Sequence, residues 1–308
     1  MSQVEAADEV TLANFEQFVQ AGGQVRPTDP MPDQYRAEIT RLIGFQALAE
    51  IVGATLFSEW LDKVPGLEAK LILTAKCQDE MGHAQVLMRV VEDLGLDRDR
   101  IIEDYLEGKA KLLNIFHYRA ESWPEMAIAA LLQNSAAIVQ FQSLVRGSYQ
   151  PYVRALRKIM REESFHYHRS LHLTRAIYGG GTAEHRRQVE DGLAKWLPLV
   201  LAYFGPRDRE NPRLESLRYR VKVDLNDDLR ERWLDRMVPV IESTGLAIPD
   251  PLLRRRDQGH WDFTEPDWFE MKRVVAGAGP ISRERHALIA RRFRQNRWLR
   301  LSLAGEAA

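Results

Sequence analysis

Two Glu-x-x-His motifs in matching positions constrain the fold of this 308-residue chain more than any other feature. The first motif is Glu80-Met-Gly-His83, and the second is Glu163-Ser-Phe-His166. On a helix, a glutamate and a histidine three residues apart project from the same face, where both can bind one transition-metal ion. A single motif of this length arises often by chance, so the surroundings of the two motifs decide their interpretation.

Each motif follows a helix that carries one polar residue among apolar neighbours. Glu50 precedes Glu80 by 30 residues, and Asn134 precedes Glu163 by 29. The chain therefore repeats a two-helix unit, in which one helix has a single inward polar group and the next carries Glu-x-x-His. Ferritin-like carboxylate-bridged metal bundles are built from such units. We predict an all-α fold, namely a ferritin-like four-helix bundle with additional peripheral helices and a C-terminal extension.

Proline- and glycine-rich stretches divide the chain into three predicted regions. Residues 1–32 form an N-terminal arm, 33–244 the helical bundle, and 245–308 an extension packed on the bundle or on a partner. Ser122, followed three residues later by Glu125, predicts a helix N-terminus. Turn residues and apolar periodicity predict helices that begin at 33 and after Gly66, and others over 99–113, 151–178, 183–204, 227–243 and 282–303.

The composition is that of a globular protein with no bias towards an anionic partner. Hydrophobic residues make up 45% of the chain and the formal net charge is −1, which gives no reason to expect nucleic acid or a charged membrane surface. Cys77 is the single cysteine, so an internal disulfide is excluded. The acidic N-terminus lacks a signal-peptide pattern, and no uninterrupted apolar run approaches membrane-spanning length. We expect a soluble, cytoplasmic protein.

The repeated motifs predict a centre for iron or manganese. Carboxylate oxygens and imidazole nitrogens suit these metals, and bridging glutamates allow two ions to lie close together. A reduced pair of this kind can bind O2 and transfer an oxygen atom to an organic substrate. An alternative for Glu50 is a salt bridge to Lys76 in the metal-free protein, since an unpaired buried carboxylate is costly. The candidate ligands are Glu50, Glu80, His83, Glu163 and His166, and the three glutamates are the candidate catalytic carboxylates.

Asn134 departs from the pattern because its side chain is neutral. No Asp or Glu lies between Glu125 and Glu162, so no neighbour on this helix can replace it. Three glutamates supply three negative charges, whereas two ferrous ions carry four positive charges. The second metal position should therefore bind more weakly, unless hydroxide, a bound anion or a partner residue balances the charge. The alternative is that Asn134 is no ligand and only forms hydrogen bonds inside the bundle.

With both motifs placed, the chain resembles the catalytic A subunits of phenylacetyl-coenzyme A epoxidases, the multicomponent di-iron monooxygenases of aerobic phenylacetate breakdown. The resemblance extends from about Met31 to Arg285. It includes the segments 49–53 (Ala-Glu-Ile-Val-Gly), 75–83 (Ala-Lys-Cys-Gln-Asp-Glu-Met-Gly-His), 136–139 (Ala-Ala-Ile-Val), 148–152 (Ser-Tyr-Gln-Pro-Tyr), 162–166 (Glu-Glu-Ser-Phe-His), 204–206 (Phe-Gly-Pro) and 248–251 (Ile-Pro-Asp-Pro).

The resemblance implies two iron ions, bound by the five candidate ligands named above, with a sixth family position, an aspartate, falling on Asn134. It also implies contacts to coenzyme A at Arg41, Lys111, Lys222 and Asn226. The three cations among these suit phosphate groups. Phe45 occupies a position where the family pattern has a polar glutamine.

The resemblance implies an oxygenase subunit that epoxidises the aromatic ring of phenylacetyl-CoA or a related acyl-CoA, with O2 and electrons from a reductase. The implied partners are a related non-catalytic helical subunit, a small accessory subunit, and a separate NADPH-dependent reductase that carries FAD and an iron–sulfur cluster. Asn134 and Phe45 leave alternatives open. One is a divergent, metal-impaired paralogue that acts as a non-catalytic scaffold or on a different acyl-CoA. Another, disfavoured by the long extension, is ferritin-like iron storage.

Overall fold

The computed structural model describes residues 10–210, 215–257 and 259–303, and most of these residues are helical. A two-residue antiparallel hairpin pairs β1 (Arg254–Arg255) with β2 (Trp261–Asp262). Short 3₁₀ turns span Asn114–His117 and Asp208–Glu210, and a π turn spans Val274–Ala278. The helices are α1 (Phe15–Gln20), α2 (Asp33–Ser58), α3 (Leu67–Asp93), α4 (Arg98–Leu106), α5 (Trp123–Leu144), α6 (Gln150–Gly180), α7 (Ala183–Tyr203), α8 (Glu215–Arg218), α9 (Asn226–Ser243), α10 (Trp268–Arg273), α11 (Ser282–Gln295) and α12 (Arg297–Leu303).

Four long helices form the predicted bundle. Helix α2 packs along α3, α5 packs along α6, and α3 meets α6 to join the two pairs. Helices α7 and α9 cover the remaining sides of α5, which explains why α5 is apolar around most of its circumference and buried along most of its length. The all-α, ferritin-like prediction is confirmed.

The predicted start of α5 is also confirmed, and it ties α5 to α7. The Ser122 hydroxyl accepts a hydrogen bond from the Glu125 amide, which satisfies one of the free donors of the first turn. The Glu125 carboxylate in turn accepts hydrogen bonds from Lys195 Nζ at 2.7 Å and from Trp196 Nε1 at 2.9 Å. These contacts fix the relative position of the two helices.

Two predicted helices are shorter than expected. The helix predicted over 99–113 ends at Leu106, because Gly108 adopts a left-handed conformation at φ +74° that stops the helix. The chain then runs to the 3₁₀ turn Asn114–His117. The basic helix predicted over 282–303 is interrupted at Asn296 and forms α11 and α12 instead.

Both terminal regions contact the bundle. On the N-terminal side, Val25 forms a bridge with Tyr149, just before α6. On the C-terminal side, the Ile281 amide donates to the carbonyl of His117 at 3.1 Å, and Ser282 Oγ lies 2.7 Å from His117 Nδ1. The division at 1–32, 33–244 and 245–308 stays a prediction, and residues 1–9 and 304–308 lie outside the described residues.

Among the described residues, α2 is the one helix with the length and apolar composition to cross a membrane. Its most apolar stretch is 56% buried within the bundle, and Gln46 and Glu50 interrupt it. A core helix of a bundle has the same properties.

Candidate metal centre

Four of the candidate ligands converge in the middle of the bundle. Glu50 lies on α2, Glu80 and His83 lie on α3, and Glu163 lies on α6. All four side chains are buried, and one donor atom from each lies within 4.8 Å of the others. The helical spacing of the two motifs has therefore produced a compact group of three carboxylates and an imidazole, which is a ligand set for a transition metal.

The fifth candidate, His166, joins the same group. Its Nδ1 atom lies 3.6 Å from Glu80 Oε1 and 3.4 Å from Glu163 Oε1. The rings of His83 and His166 are 6.1 Å apart, centre to centre, so each approaches the carboxylates from its own side. The structure thus brings together all five residues that the sequence predicts as ligands.

Asn134 also faces this centre, from α5. Its Oδ1 atom accepts a hydrogen bond from Lys76 Nζ at 3.3 Å, and its Nδ2 atom donates to Ser170 Oγ at 2.9 Å. The amide group therefore forms hydrogen bonds through both of its polar atoms, and its oxygen contacts the ammonium that also contacts Glu80. Both roles considered for Asn134 are compatible with this geometry.

Lys76 occupies the half of the centre that faces Asn134. Its ammonium lies 2.5 Å from Glu80 Oε1 and 3.2 Å from His166 Nδ1, and it stacks 4.3 Å above the Phe57 ring. The salt bridge considered between Lys76 and Glu50 is thus made to Glu80 instead. Although burial opposes the charge, the neighbouring glutamates raise the pKa of Lys76, so the ammonium stays protonated.

Two carboxylates of the centre, Glu50 and Glu80, differ in their charge state. Burial, together with the nearby Glu80 and Glu163, raises the pKa of Glu50 to about 8. Burial acts on Glu80 in the same direction, but Lys76 outweighs it and lowers the pKa of Glu80 to about 2. Burial disfavours the charged form of His83, yet the adjoining Glu50 carboxylate raises its pKa to about 9. The cluster therefore holds protons that a bound cation would displace.

Two further carboxylates orient the histidines. His83 Nε2 lies 2.8 Å from Glu162 Oε2, and His166 Nε2 lies 3.1 Å from Asp79 Oδ2. Metal-binding histidines commonly contact a carboxylate through the nitrogen that does not bind the metal. The sequence reasoning missed both residues, although a signal was present, because each motif reads acid-Glu-x-x-His.

The inward nitrogen of His83 tests whether these residues fit a metal ion. With Nε2 committed to Glu162, the buried Nδ1 atom faces Glu50 Oε2 at 3.5 Å and Glu163 Oε1 at 3.6 Å, and it has no hydrogen-bond partner. A buried polar atom without a partner is unfavourable, and a metal ion between Nδ1 and the two carboxylates would satisfy it. The donor set and this orphaned atom fit a metal ion.

The position of the carboxylates is supported from α2. Gln46 Nε2 donates to Glu50 Oε1 at 3.2 Å, and the Tyr152 hydroxyl donates to Gln46 Oε1. Gln46 and Tyr152 were also missed from the sequence, where a glutamine and a tyrosine far apart give no sign of pairing.

A cavity of about 340 Å³ opens onto this centre. Its wall includes Glu50, Glu80, Asn134 and Glu163. Most of the remaining wall is apolar and contains Leu42, Phe45, Ala49, Phe57, Leu113, Ile115, Phe116, Ala137, Phe141, Leu144 and Phe204. The same cavity is lined by three of the four positions predicted to contact coenzyme A, namely Arg41, Lys222 and Asn226. The fourth, Lys111, is exposed and lies outside the lining.

Comparison with known proteins identifies the family of this chain. A family model described as phenylacetic acid catabolic protein matches residues 4–298. The chain belongs to this family. One relative within it is the A subunit of the 1,2-phenylacetyl-CoA epoxidase of Escherichia coli (strain K12), which is 37% identical over 288 residues and 93% of each chain. The resemblance predicted from the motifs is confirmed, and it covers nearly the whole length of the chain.

Proposed function

We propose that this chain is the oxygenase subunit of a multicomponent di-iron monooxygenase that epoxidises the aromatic ring of phenylacetyl-CoA or a related acyl-CoA. One observation carries the proposal: a single cavity is lined both by the buried carboxylates of the metal centre and by Arg41 and Lys222. An acyl-CoA needs both, because its acyl group must reach the oxidising centre while its phosphates meet cations.

In this proposal the five converging side chains, with Asn134 as a sixth, hold two iron ions. Iron bound here supplies the activation of O2 and the transfer of one oxygen atom to the ring. The other oxygen atom would leave as water, formed with two electrons that a reductase takes from NADPH and with two protons, one from NADPH and one from solvent. The role of the chain's own carboxylates is to neutralise the metal charge, and Glu162 and Asp79 hold the histidines in place.

The apolar wall is suited to an aromatic acyl group. Phe45, Phe57 and Phe141 line the cavity together with aliphatic side chains, which can pack against an aromatic ring. Phe45 replaces the glutamine of the family pattern and makes this wall more apolar. We propose that the acyl group is held by packing alone at this point, which favours an unsubstituted ring over one with a polar substituent.

Lys222 and Asn226 form the polar part of the wall. Lys222 Nζ donates to Asn226 Oδ1, and Asn226 Nδ2 donates to the carbonyl of Pro206 at 2.9 Å. Gly205 adopts φ +97°, and a Cβ atom there would lie 2.9 Å from Asn226 Nδ2, so glycine permits this close approach. The arrangement holds a cation and a side-chain amide at a fixed position, where they suit a phosphate or pantetheine group.

The relative is named as one subunit of its epoxidase, so that enzyme has more than one chain. We propose that this chain likewise works with a small accessory subunit, a related helical subunit, and an NADPH-dependent reductase carrying FAD and an iron–sulfur cluster. A cytoplasmic location fits substrates made from coenzyme A. The scaffold alternative has little support, since a scaffold has no need of five buried ionisable groups that face one another.

The proposal is tested by reconstitution. The purified oxygenase component is incubated with phenylacetyl-CoA, NADPH, reductase and isotope-labelled O2, and the product is identified by mass spectrometry. We expect a product that gains one labelled oxygen atom. A Glu163→Gln variant, which loses a carboxylate of the centre, should form none. NADPH oxidation without labelled product would argue against the function, whereas no iron binding at all would favour the scaffold.

Removing Lys222 should weaken coenzyme A binding far more than removing Lys111. Lys222→Ala takes a half-buried cation out of the cavity wall, and we expect about tenfold weaker binding of phenylacetyl-CoA. Lys111 is exposed and outside the lining, so Lys111→Ala should change the affinity by less than about twofold. Isothermal titration of both variants checks this. Equal effects would mean that the ligand extends beyond the cavity to Lys111.

Binding should also weaken as the pH rises above about 8. Burial lowers the pKa of Lys222 to about 8, so its charge is present below that pH and lost above it. An anionic ligand favours the protonated form, and its affinity is therefore highest at low pH and falls through this range. Titrating phenylacetyl-CoA, which has no free thiol, across this range measures the effect. Lys222→Arg should make the affinity independent of pH, and an unchanged profile in that variant would exclude Lys222 as the cause.

A further inference from the structure

The two carboxylates that contact the histidines lie along the groove between α3 and α6. Glu162 and Asp79, which contact the two histidines, have side chains that are 33% and 35% exposed. The ligands behind them are buried, with His83 at 1% and His166 at 4%. On this side of the centre, one half-buried carboxylate and one imidazole ring therefore lie between solvent and each inward nitrogen.

The outer face of α6 beside this groove is strongly basic, although the whole chain is nearly neutral. Glu162 is half-buried and Glu163 is buried, so no carboxylate is fully exposed on this helix. Its exposed charged positions are all cations, namely Arg154, Arg157, Lys158, Arg161, Arg169 and Arg175. We call these six residues the α6 basic face.

The arginines of the α6 basic face are unusual because they lack carboxylate partners. Within the described part of the chain, Arg154, Arg157, Arg161 and Arg169 form no ion pair, and Lys158 has a distant one to Glu162 at 3.9 Å. Exposed arginines elsewhere are commonly paired, as in Arg187 with Glu184 at 2.6 Å. Unpaired like charges along one helix repel each other, so the face is more stable when an acidic surface covers it.

An apolar anchor lies in the middle of this face. Phe165 is 61% exposed, and Arg169 lies 5.1 Å from its ring centre. Phe165 lies within the second motif, between Glu163 and His166. An exposed aromatic residue surrounded by unpaired arginines is the composition of a protein-binding hot spot.

We propose that the α6 basic face, with Phe165 at its centre, is the docking site for an acidic electron-donor protein. The inference rests on the proposed function, which requires electrons to reach the metal centre. A donor bound here lies one carboxylate and one imidazole away from the metal position, through Glu162–His83 and Asp79–His166. The acidic character of the donor follows from charge complementarity, because only an acidic surface pairs with six cations.

The test uses the complete oxygenase component and its reductase as the probe. In Arg161→Glu/Arg169→Glu, reversal of two charges beside the groove should weaken reductase binding by about tenfold at low ionic strength. The difference should shrink as salt is added, because salt screens exposed charges. Phe165→Ser should also weaken binding, but by an amount that salt does not change. Affinities are measured by titration with iron-free protein, so the result does not depend on turnover.

Matched controls separate docking from other effects. Arg291→Glu/Arg294→Glu makes the same charge change at exposed positions of α11 and should leave reductase binding within about twofold of wild type. With dithionite as reductant, the α6 variants should form as much product in a single turnover as the wild type. Such a result would show that the metal centre of the variants still works, so the proposed function would stand even if the docking proposal were wrong.

Two outcomes would overturn the docking proposal. One is an unchanged reductase affinity in both Arg161→Glu/Arg169→Glu and Phe165→Ser. The other is loss of the helical partner subunit from the purified component, which would make this face an internal interface of the oxygenase. If Arg161→Glu/Arg169→Glu fails to fold, the same measurement is made on another double variant of the α6 basic face, Arg154→Glu/Arg157→Glu.

Discussion

Replacing Lys76 with methionine should lower the free energy of unfolding of the metal-free protein by about 3–5 kcal/mol, the cost typical of removing one member of a buried ion pair. Lys76 is the ammonium in contact with Glu80, Asn134 and His166. Methionine retains much of the apolar stem that lies against Phe57, so most of the loss comes from the charge. Denaturant titration of metal-free protein at neutral pH measures it.

The stability that Lys76→Met loses should become smaller at acidic pH. Lys76 lowers the pKa of Glu80 from its usual value to about 2, and a lowered folded-state pKa adds stability that is present above the unfolded pKa. That contribution is lost as the pH falls from about 4.5 towards 2, so the difference between wild type and Lys76→Met should shrink in this range. Lys70→Met, at an exposed position of the same helix, serves as the control and should change stability little.

Added iron should reduce the difference in the free energy of unfolding between the wild type and Lys76→Met. The metal ions supply the positive charge that the ammonium provides in their absence, and any ligand that binds the folded state stabilises it. If the variant is as stable as the wild type without metal, Lys76 does not neutralise the carboxylates. A deficit that persists in full with iron bound would mean that Lys76 has a packing role.

The ligand positions could be predicted from sequence because helical geometry fixes them. A spacing of three residues places Glu80 with His83, and Glu163 with His166, on one face of a helix, whatever the rest of the chain does. Repetition of that unit at nearly equal distances then predicted that the faces meet. The structure brings all these side chains together.

The partners of those ligands could not be predicted in the same way. Whether Lys76 reaches Glu50 or Glu80 depends on side-chain rotamers and on the Phe57 ring, which no spacing rule specifies. The Tyr152–Gln46–Glu50 chain joins residues 106 positions apart through tertiary packing. The resemblance implied coenzyme A contacts at both Lys111 and Lys222, but Lys111 is exposed and only Lys222 lines the cavity.

The negative charge of the buried glutamates is offset within the centre itself. Three buried glutamates face one buried lysine, which contacts Glu80, and burial together with Glu80 and Glu163 raises the pKa of Glu50 to about 8. A proton on Glu50 and an ammonium on Lys76 thus take the place of metal charge. Binding of cations must displace both, together with the proton of His83, whose pKa is raised to about 9, so metal affinity should increase with pH until Glu50 and His83 are deprotonated.

Replacing Asn134 with aspartate should raise the iron content from about one per chain, or less, towards about two, because it restores the fourth carboxylate that a diferrous pair requires. Aspartate has nearly the volume of asparagine, so packing changes little. Anaerobic loading followed by metal analysis measures the result. Asn134→Leu, which removes the oxygen altogether, is the control, and it should bind no more iron than the wild type.

Without iron the Asn134→Asp variant should be no more stable than the wild type. Lys76 contacts both Glu80 and the Asn134 oxygen, so in the variant one ammonium would serve two carboxylates, and the hydrogen bond that Asn134 donates to Ser170 would be lost. Iron should therefore raise the melting temperature more in the variant than in the wild type. Two fully occupied irons in the wild type would contradict this argument, because the amide oxygen or an outside ligand would then suffice, and the charge of the second metal position would be balanced without a carboxylate on α5.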